Sequence, residues 1–307
     1  MLTAYLTHPD CERHVMGADH PECPERLGAL NDHLLIKGLL DCVQPVDAPQ
    51  ATDAQLLRVH DAAWLYRLQD LVPTEGYARL DADTLINPFT LRAARRAAGA
   101  AAHAVDLVLR GQAPNAFCAV RPPGHHAGRH GGSGFCFFNN AAVAVAQALA
   151  EHGLQRVALV DFDVHHGDGS EDIWAGDERV LLCSSYQADL FPFRDTSPPA
   201  ANVVLAPLAA RSGGPAMRAA IETHWLPALA RFAPELIVIS AGFDAHREDD
   251  MGNLGWSEAD YQWLSLQLLA QARASCGGRI VSCLEGGYSL SALARSAAAH
   301  LRVLVEA

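Results

Sequence analysis

Three acids and two histidines crowd into eight residues of this chain, Asp161-Phe-Asp-Val-His-His-Gly-Asp168. They close the apolar run Val157-Ala-Leu-Val160. A short, nearly unbroken apolar run is the pattern of a strand buried on both faces, as in a parallel sheet. Ligands of such sheets bind where the strands end at their carboxyl side. If the chain stays extended past Val160, Asp163 and His165 point the same way, because side chains alternate with period two. One carboxylate and one imidazole on the same side make half of a metal site.

Three more apolar runs end in unusual residues. Residues 116–120 lead into Arg121-Pro-Pro-Gly-His-His-Ala127, then a glycine-rich stretch, then Phe135-Cys-Phe-Phe-Asn-Asn140. Residues 235–240 end in Ala241-Gly-Phe-Asp244-Ala-His246, and residues 279–284 end in Glu285-Gly-Gly-Tyr288. In a parallel sheet all four ends meet on one edge.

Asp163, His165 and Asp244 then supply three ligands and leave a fourth position open, the pattern of catalytic zinc. The same ligand types suit Fe(II), Co(II) or Mn(II). A bound metal polarises a carbonyl and acidifies its water. A histidine of the 125/126 pair is placed to take that proton and hand it to a leaving amine. Asp161 and Asp168 are available to orient the imidazoles. Tyr288, free to swing after Glu-Gly-Gly, is a hydrogen-bond donor for a tetrahedral oxyanion. Together these parts fit metal-assisted hydrolysis of an amide.

The elements that must position them follow from periodicity. Residues 3–7, 116–120, 157–161, 180–185, 202–208, 235–240 and 279–284 read as strands. Residues 25–37, 53–71, 90–110, 141–152, 213–232, 257–275 and 289–305 read as helices, with 80–84 and 87–88 as loop. Strands alternating with helices predict an α/β fold, a three-layer αβα arrangement around a central, mainly parallel sheet. No linker or repeat divides the chain, so residues 1–307 are expected to form one domain. Arg26, in the first turn of the first helix, reads on composition alone as a surface charge.

The chain is half hydrophobic and 19% charged, with a net charge of −12, which excludes a disordered polymer. No Lys/Arg run of nucleic-acid type occurs, so no nucleic-acid partner is expected. The eight cysteines are scattered without a C-x-x-C pair, as in a reduced, cytoplasmic protein. Neither a signal peptide nor a membrane span is expected from the N-terminus or the apolar runs.

These motifs together resemble the zinc-dependent histone deacetylase family, of arginase–deacetylase fold. The resemblance is carried by Pro21-Glu-Cys-Pro-Glu-Arg-Leu27, Arg121–Ala127, Gly134-Phe-Cys-Phe-Phe-Asn-Asn140, Asp161–Gly169, Ser240-Ala-Gly-Phe-Asp244 and Glu285–Tyr288. The Pro-Glu-x-Pro-Glu-Arg element is similar to the class II and bacterial branch. The resemblance implies a deacetylase or broader deacylase, with Asp163, His165 and Asp244 as zinc ligands. It implies His126 as general base and acid, His125 as its charge-steadying neighbour, Asp161 and Asp168 as their carboxylates, and Tyr288 as transition-state donor. Gly134, Phe135 and Phe191 match the narrow tube for an acyl-lysine stem. Arg26 matches an arginine by the acetate-exit cavity, against the surface reading. A structural potassium is implied at Asp161 and Ser184, and Thr84 matches a rim residue that touches substrate.

Relatives that act on polyamines carry an acidic gatekeeper seven residues beyond the last zinc ligand. That position is Met251, close to Glu248, Asp249 and Asp250. An acyl-lysine peptide or protein is the expected substrate. The alternatives are an acetylated polyamine or other small acetylated amine and, from another class, a non-catalytic acyl binder. A homo-oligomer stays open. Where many relatives have a histidine after the strand-edge serine, this chain has Ser185-Tyr-Gln187.

Overall fold

A computed structural model describes residues 1–194 and 198–307. The strands are β1 (Thr3–Thr7), β2 (Val43–Asp47), β3 (Ala78–Arg79), β4 (Leu85–Ile86), β5 (Ala116–Cys118), β6 (Val157–Asp161), β7 (Val180–Gln187), β8 (Val203–Leu208), β9 (Leu236–Ala241) and β10 (Ile280–Leu284). The helices are α1 (Glu25–Ile36), α2 (Asp53–Leu56), α3 (Ala62–Leu71), α4 (Thr90–Leu109), α5 (Asn140–Glu151), α6 (Asp168–Trp174), α7 (Gly214–Ala220), α8 (Leu226–Phe232), α9 (Glu258–Cys276) and α10 (Leu290–Val305).

Eight strands form one sheet in the order β2-β1-β5-β10-β9-β6-β7-β8, parallel at every pairing, while β3 and β4 form a separate antiparallel hairpin. The central strands β5, β6, β9 and β10 are buried along their whole length, as their apolar runs require. Crossovers are right-handed, so their direction sets the face on which each helix lies. The β1–α1–β2 and β9–α9–β10 units run one way along the sheet and put α1 and α9 on one face. The β5–α5–β6 unit runs the other way and puts α5 on the opposite face. The expected αβα architecture is therefore present, with no antiparallel strand in the main sheet among the described residues.

Local differences from the sequence reading have physical causes. The stretch 53–71 is two helices, because Thr52 and Asp61 each cap an N-terminus; Asp61 Oδ1 accepts the Trp64 N–H at 2.7 Å. The helix over 213–232 contains a π-helical turn at Ile221–Trp225, next to Pro227 in the first turn of α8. Proline cannot donate the expected backbone bond there. Strand β2 escaped the sequence reading because it is a half-exposed edge strand containing Pro45, a place where proline is tolerated. Within the loop after β7, residues 195–197 lie outside the described residues.

Aromatic residues anchor the strand ends. Phe162 and Phe243, each next to a site aspartate, turn into the layer under α9 and α10. Their rings meet Tyr261 at 6.0 and 5.2 Å and His300 at 5.8 and 6.1 Å. Each such buried ring contributes roughly 1.5–3 kcal/mol. That packing fixes where Asp163 and Asp244 begin.

Candidate active site

The strands whose ends carry the unusual residues are consecutive neighbours, β5-β10-β9-β6. The chain leaves β6 toward β7 on one side and leaves β9 toward β10 on the other. Between β6 and β9 the order reverses, and a crevice opens at such a switch point. Asp163 and His165 follow β6 and Asp244 follows β9, so this crevice holds all three.

Strand alternation is not what brings Asp163 and His165 together. Strand β6 ends at Asp161 and the chain bends. Asp161 Oδ1 accepts the Asp163 N–H at 3.1 Å, and Asp163 Oδ1 accepts the His165 N–H at 2.9 Å. Two successive turns closed by aspartate side chains thus fold His165 back beside Asp163. Asp244 Oδ1 accepts the Val164 N–H from the neighbouring strand end at 2.9 Å. Asp163 Oδ2 accepts the Gly286 N–H at 2.9 Å.

Ligand atoms of Asp163, His165 and Asp244 lie within 4.8 Å of one another, all buried. His165 Nδ1 is 2.9 Å from Asp163 Oδ1 and 3.3 Å from Asp244 Oδ2. Burial opposes charge on His165, but the two carboxylates outweigh it and lift its pKa to about 10. Burial, with Asp163 beside it, pushes Asp244 up to about 7. Asp244 Oδ2 is buried and accepts no hydrogen bond. A Cβ at Gly286 would press on both carboxylates, and one at Gly242 on Asp163. The glycines therefore leave a cradle around two acids that need a cation, and this donor set fits a divalent metal.

A second buried group, His125, Cys136 and Glu285, also lies within 4.8 Å. Its carboxylate is already committed. Glu285 Oε2 accepts the N–H groups of Gly124 and His125 at 2.6 and 3.1 Å, and Oε1 accepts the Ser240 hydroxyl at 3.1 Å. Glu285 thereby ties the histidine pair to β9 and β10.

The two histidines each face a carboxylate. His125 Nδ1 is 2.9 Å from Asp161 Oδ2, and His126 Nδ1 is 2.6 Å from Asp168 Oδ1. Their ring centroids are 4.1 Å apart. Burial disfavours charge on His125, but Asp161, Asp163 and Glu285 outweigh it and raise its pKa well above the usual imidazole value. Burial, then charge on His125, lowers His126 to about 4. The surroundings thus push the two imidazoles in opposite directions.

Aromatic rings wall the approach. Phe191 lies 4.9 Å from the His126 ring and 6.3 Å from that of His165. Phe135 lies 5.8 Å from the Tyr288 ring. Gly134, at φ 53°, is so close to His126 and Phe191 that a Cβ would meet both rings. Burial pushes the Tyr288 phenol well above its usual pKa, with Asp244 and Asp163 adding to the effect and Arg26 opposing it. A neutral hydroxyl donor results.

Sequence comparison matches a model described as "Histone deacetylase domain" over residues 20–304. The chain belongs to the histone deacetylase family. A histone deacetylase-like amidohydrolase of Pseudomonas aeruginosa is 39% identical over 280 residues, 89% of this chain and 73% of that protein. The human polyamine deacetylase HDAC10 is 36% identical over 328 residues, 99% of this chain and 48% of its own length. Among solved structures, the crystal structure of the HDA15 HD domain superposes with a TM-score of 0.91 at 33% identity. It covers 100% of this chain and 89% of that one.

Other expected residues of this histone deacetylase family member fall in varied places. Arg26 is no surface charge. It is fully buried, its Nε donates to Gly287 O at 2.6 Å, and its guanidinium lies 4.9 Å from the Tyr288 ring centre. Thr84 is also fully buried and does not reach the rim. Its hydroxyl donates to Asp81 Oδ2 at 3.0 Å and accepts the Phe135 N–H at 3.0 Å, so it holds the Phe135 wall from behind. Ser184 is buried opposite Asp161 in the next strand, with Oγ 2.9 Å from His166 Nδ1. Met251 is half-buried. Of the acids near it, Glu248 pairs with Arg295 at 2.9 Å, Asp249 is buried and Asp250 is exposed.

The resemblance singles out Arg26, but sequence reading missed the buried ion network in which it sits. Glu22 pairs with Arg121 and, at 3.1 Å, with Arg26, all three fully buried. Arg121 also donates to Cys11 O at 2.9 Å. Asn139 caps α5 and donates to Ala127 O and to Ser170 Oγ, each at 3.1 Å. The signal was present only as unusual motif context, since nothing in a lone Glu or Arg tells that it will be buried.

Proposed function

We propose that this chain is a metal-dependent amidohydrolase that removes acetyl or other acyl groups from acylated lysine side chains. The observation that carries it is the buried Asp163–His165–Asp244 group beside two histidine–carboxylate pairs. Asp163, His165 and Asp244 would hold the metal, zinc by donor type, which supplies Lewis acidity and a more acidic water. His126 is neutral, and Asp168 engages its Nδ1, which leaves Nε2 to accept the water proton. The same proton then passes to the leaving amine. His125, charged and held by Asp161, steadies the negative charge that develops nearby. Tyr288 donates its phenol hydrogen to the oxyanion. Phe135, Phe191 and Gly134 bound a narrow apolar entry for the substrate stem and exclude water from it. Arg26, behind Tyr288, is proposed to flank the exit of the released carboxylate. The potassium implied at Asp161 and Ser184 is a further proposal, supported by the two residues standing opposite each other across β6 and β7.

Replacing Tyr288 by Phe is expected to lower kcat by about 10²- to 10³-fold, as loss of one oxyanion donor does, with metal retained. Steady-state kinetics beside metal analysis checks this. A Tyr288→Phe enzyme of wild-type speed would make the tyrosine structural only.

A second reading, deacetylation of a polyamine, is favoured by the similarity to the human polyamine deacetylase. Met251 argues against it, since it has no charge for a second ammonium. Glu248 and Asp249 are engaged elsewhere. The expected kcat/KM is higher for an acetyl-lysine peptide than for N8-acetylspermidine, and Met251→Glu should move the ratio toward the polyamine. A wild-type preference for the polyamine by about tenfold, or 1.4 kcal/mol, would overturn the acyl-lysine assignment.

A further inference from the structure

Asp249 is a buried acid that the chemistry above leaves unused. It is 4% exposed. Its Oδ2 accepts the N–H groups of Tyr288 and Ser289 at 2.6 and 2.9 Å, and its Oδ1 accepts the Met251 N–H at 3.1 Å. One carboxylate thus joins the loop after Asp244 to the turn that carries Tyr288. That turn begins with Gly286 and Gly287, the latter at φ 119°, so its backbone has little stiffness of its own. It is gripped from two sides. Arg26 donates to the carbonyls of Glu285 and Gly287, and Asp249 accepts from the next two N–H groups. These N–H groups lie just before α10, where a helix N-terminus also favours an anion.

We propose that Asp249 is a positioning residue for Tyr288, fixing the main chain from which the phenol reaches the reacting centre. The proposal rests on Tyr288 being the oxyanion donor. Asp249 acts through the tyrosine and does not touch the substrate, and this role removes it as an acid of the entrance.

The test is a double-mutant cycle in the full chain loaded with zinc, reading kcat, KM, bound metal and melting temperature with an acetyl-lysine peptide. Asp249→Ala is expected to lower kcat by about 10- to 10²-fold, the cost of misplacing a catalytic group, with KM and bound metal unchanged. In the Tyr288→Phe background the same substitution should cost less than about threefold, because groups acting as a unit are not additive. An equal penalty in both backgrounds, or loss of metal from Asp249→Ala, would overturn the proposal. If Asp249→Ala does not fold, Asp249→Asn carries the same cycle. It keeps one acceptor oxygen, and a loss of about three- to tenfold that disappears in the Tyr288→Phe background is expected; an undiminished loss refutes the role. The two readings fail separately. A Tyr288→Phe enzyme at wild-type speed overturns the role of the tyrosine and this proposal with it. A slow Tyr288→Phe with an additive Asp249 penalty overturns this proposal alone.

Discussion

Asp244→Ala is expected to bind no stoichiometric metal and to lose activity by on the order of 10⁴-fold or more, since Lewis acidity and water activation go together. Asp244 is the proposed ligand from β9, while Asp163 and His165 both follow β6. Its removal would leave two candidate ligands on one side of the crevice. The substitution also strips the buried Val164 N–H of its acceptor, at a cost of about 1–3 kcal/mol. Asp244→Asn separates the two effects, because an amide oxygen can still accept that hydrogen bond. Both variants should lose metal, and Asp244→Asn should melt closer to the wild type. Full metal content in either variant would sink the ligand assignment.

His126→Ala should lower kcat by about 10²- to 10⁴-fold, the usual worth of a general acid–base group, while metal stays bound. The proposed mechanism gives this role to His126 rather than His125. His126 is held neutral by burial and by its charged neighbour, and its ring borders Phe191 and His165. His125 is raised well above the usual imidazole value by Asp161, Asp163 and Glu285 against burial, and it is linked to Asp161 and Glu285. Kinetics on both alanine variants, with metal analysis on each, checks the division. Wild-type turnover by His126→Ala would remove it from proton transfer.

Much of the fold was legible because the strong signals were long ones. The apolar runs at 157–161, 236–241 and 280–284 are broken only by Asp161, Ser240 and Ser282, and burial on both faces leaves such runs few alternatives. Strand β2 was not legible, since Val43-Gln-Pro-Val-Asp47 pairs along one side only and half of it meets water. In the site, acids and histidines at strand ends announced themselves by type. Their contacts did not. Asp163 and His165 come together through turns closed by aspartate side chains and not through strand alternation, a distinction that residue spacing does not reveal. On composition alone Arg26 reads as a surface charge, because the carbonyls of Glu285 and Gly287 that bury it come from the far end of the chain. The resemblance puts Thr84 at the rim, yet its hydroxyl is spent on the Phe135 backbone and on Asp81. In the sequence Asp249 is one of several loop acids, because a carboxylate that binds main-chain N–H groups leaves no pattern in side-chain types.

In the proposed mechanism one metal ion, held by Asp163, His165 and Asp244, is needed for deacylation by this chain. The most direct measurement removes metal from the purified full chain with a chelator, then titrates zinc back. Bound metal and turnover of an acetyl-lysine peptide are followed together. The expected result is an inactive apo-protein whose activity returns in proportion to zinc bound and levels off at one equivalent per chain. A metal-free chain that hydrolyses the peptide at the full rate would contradict the account.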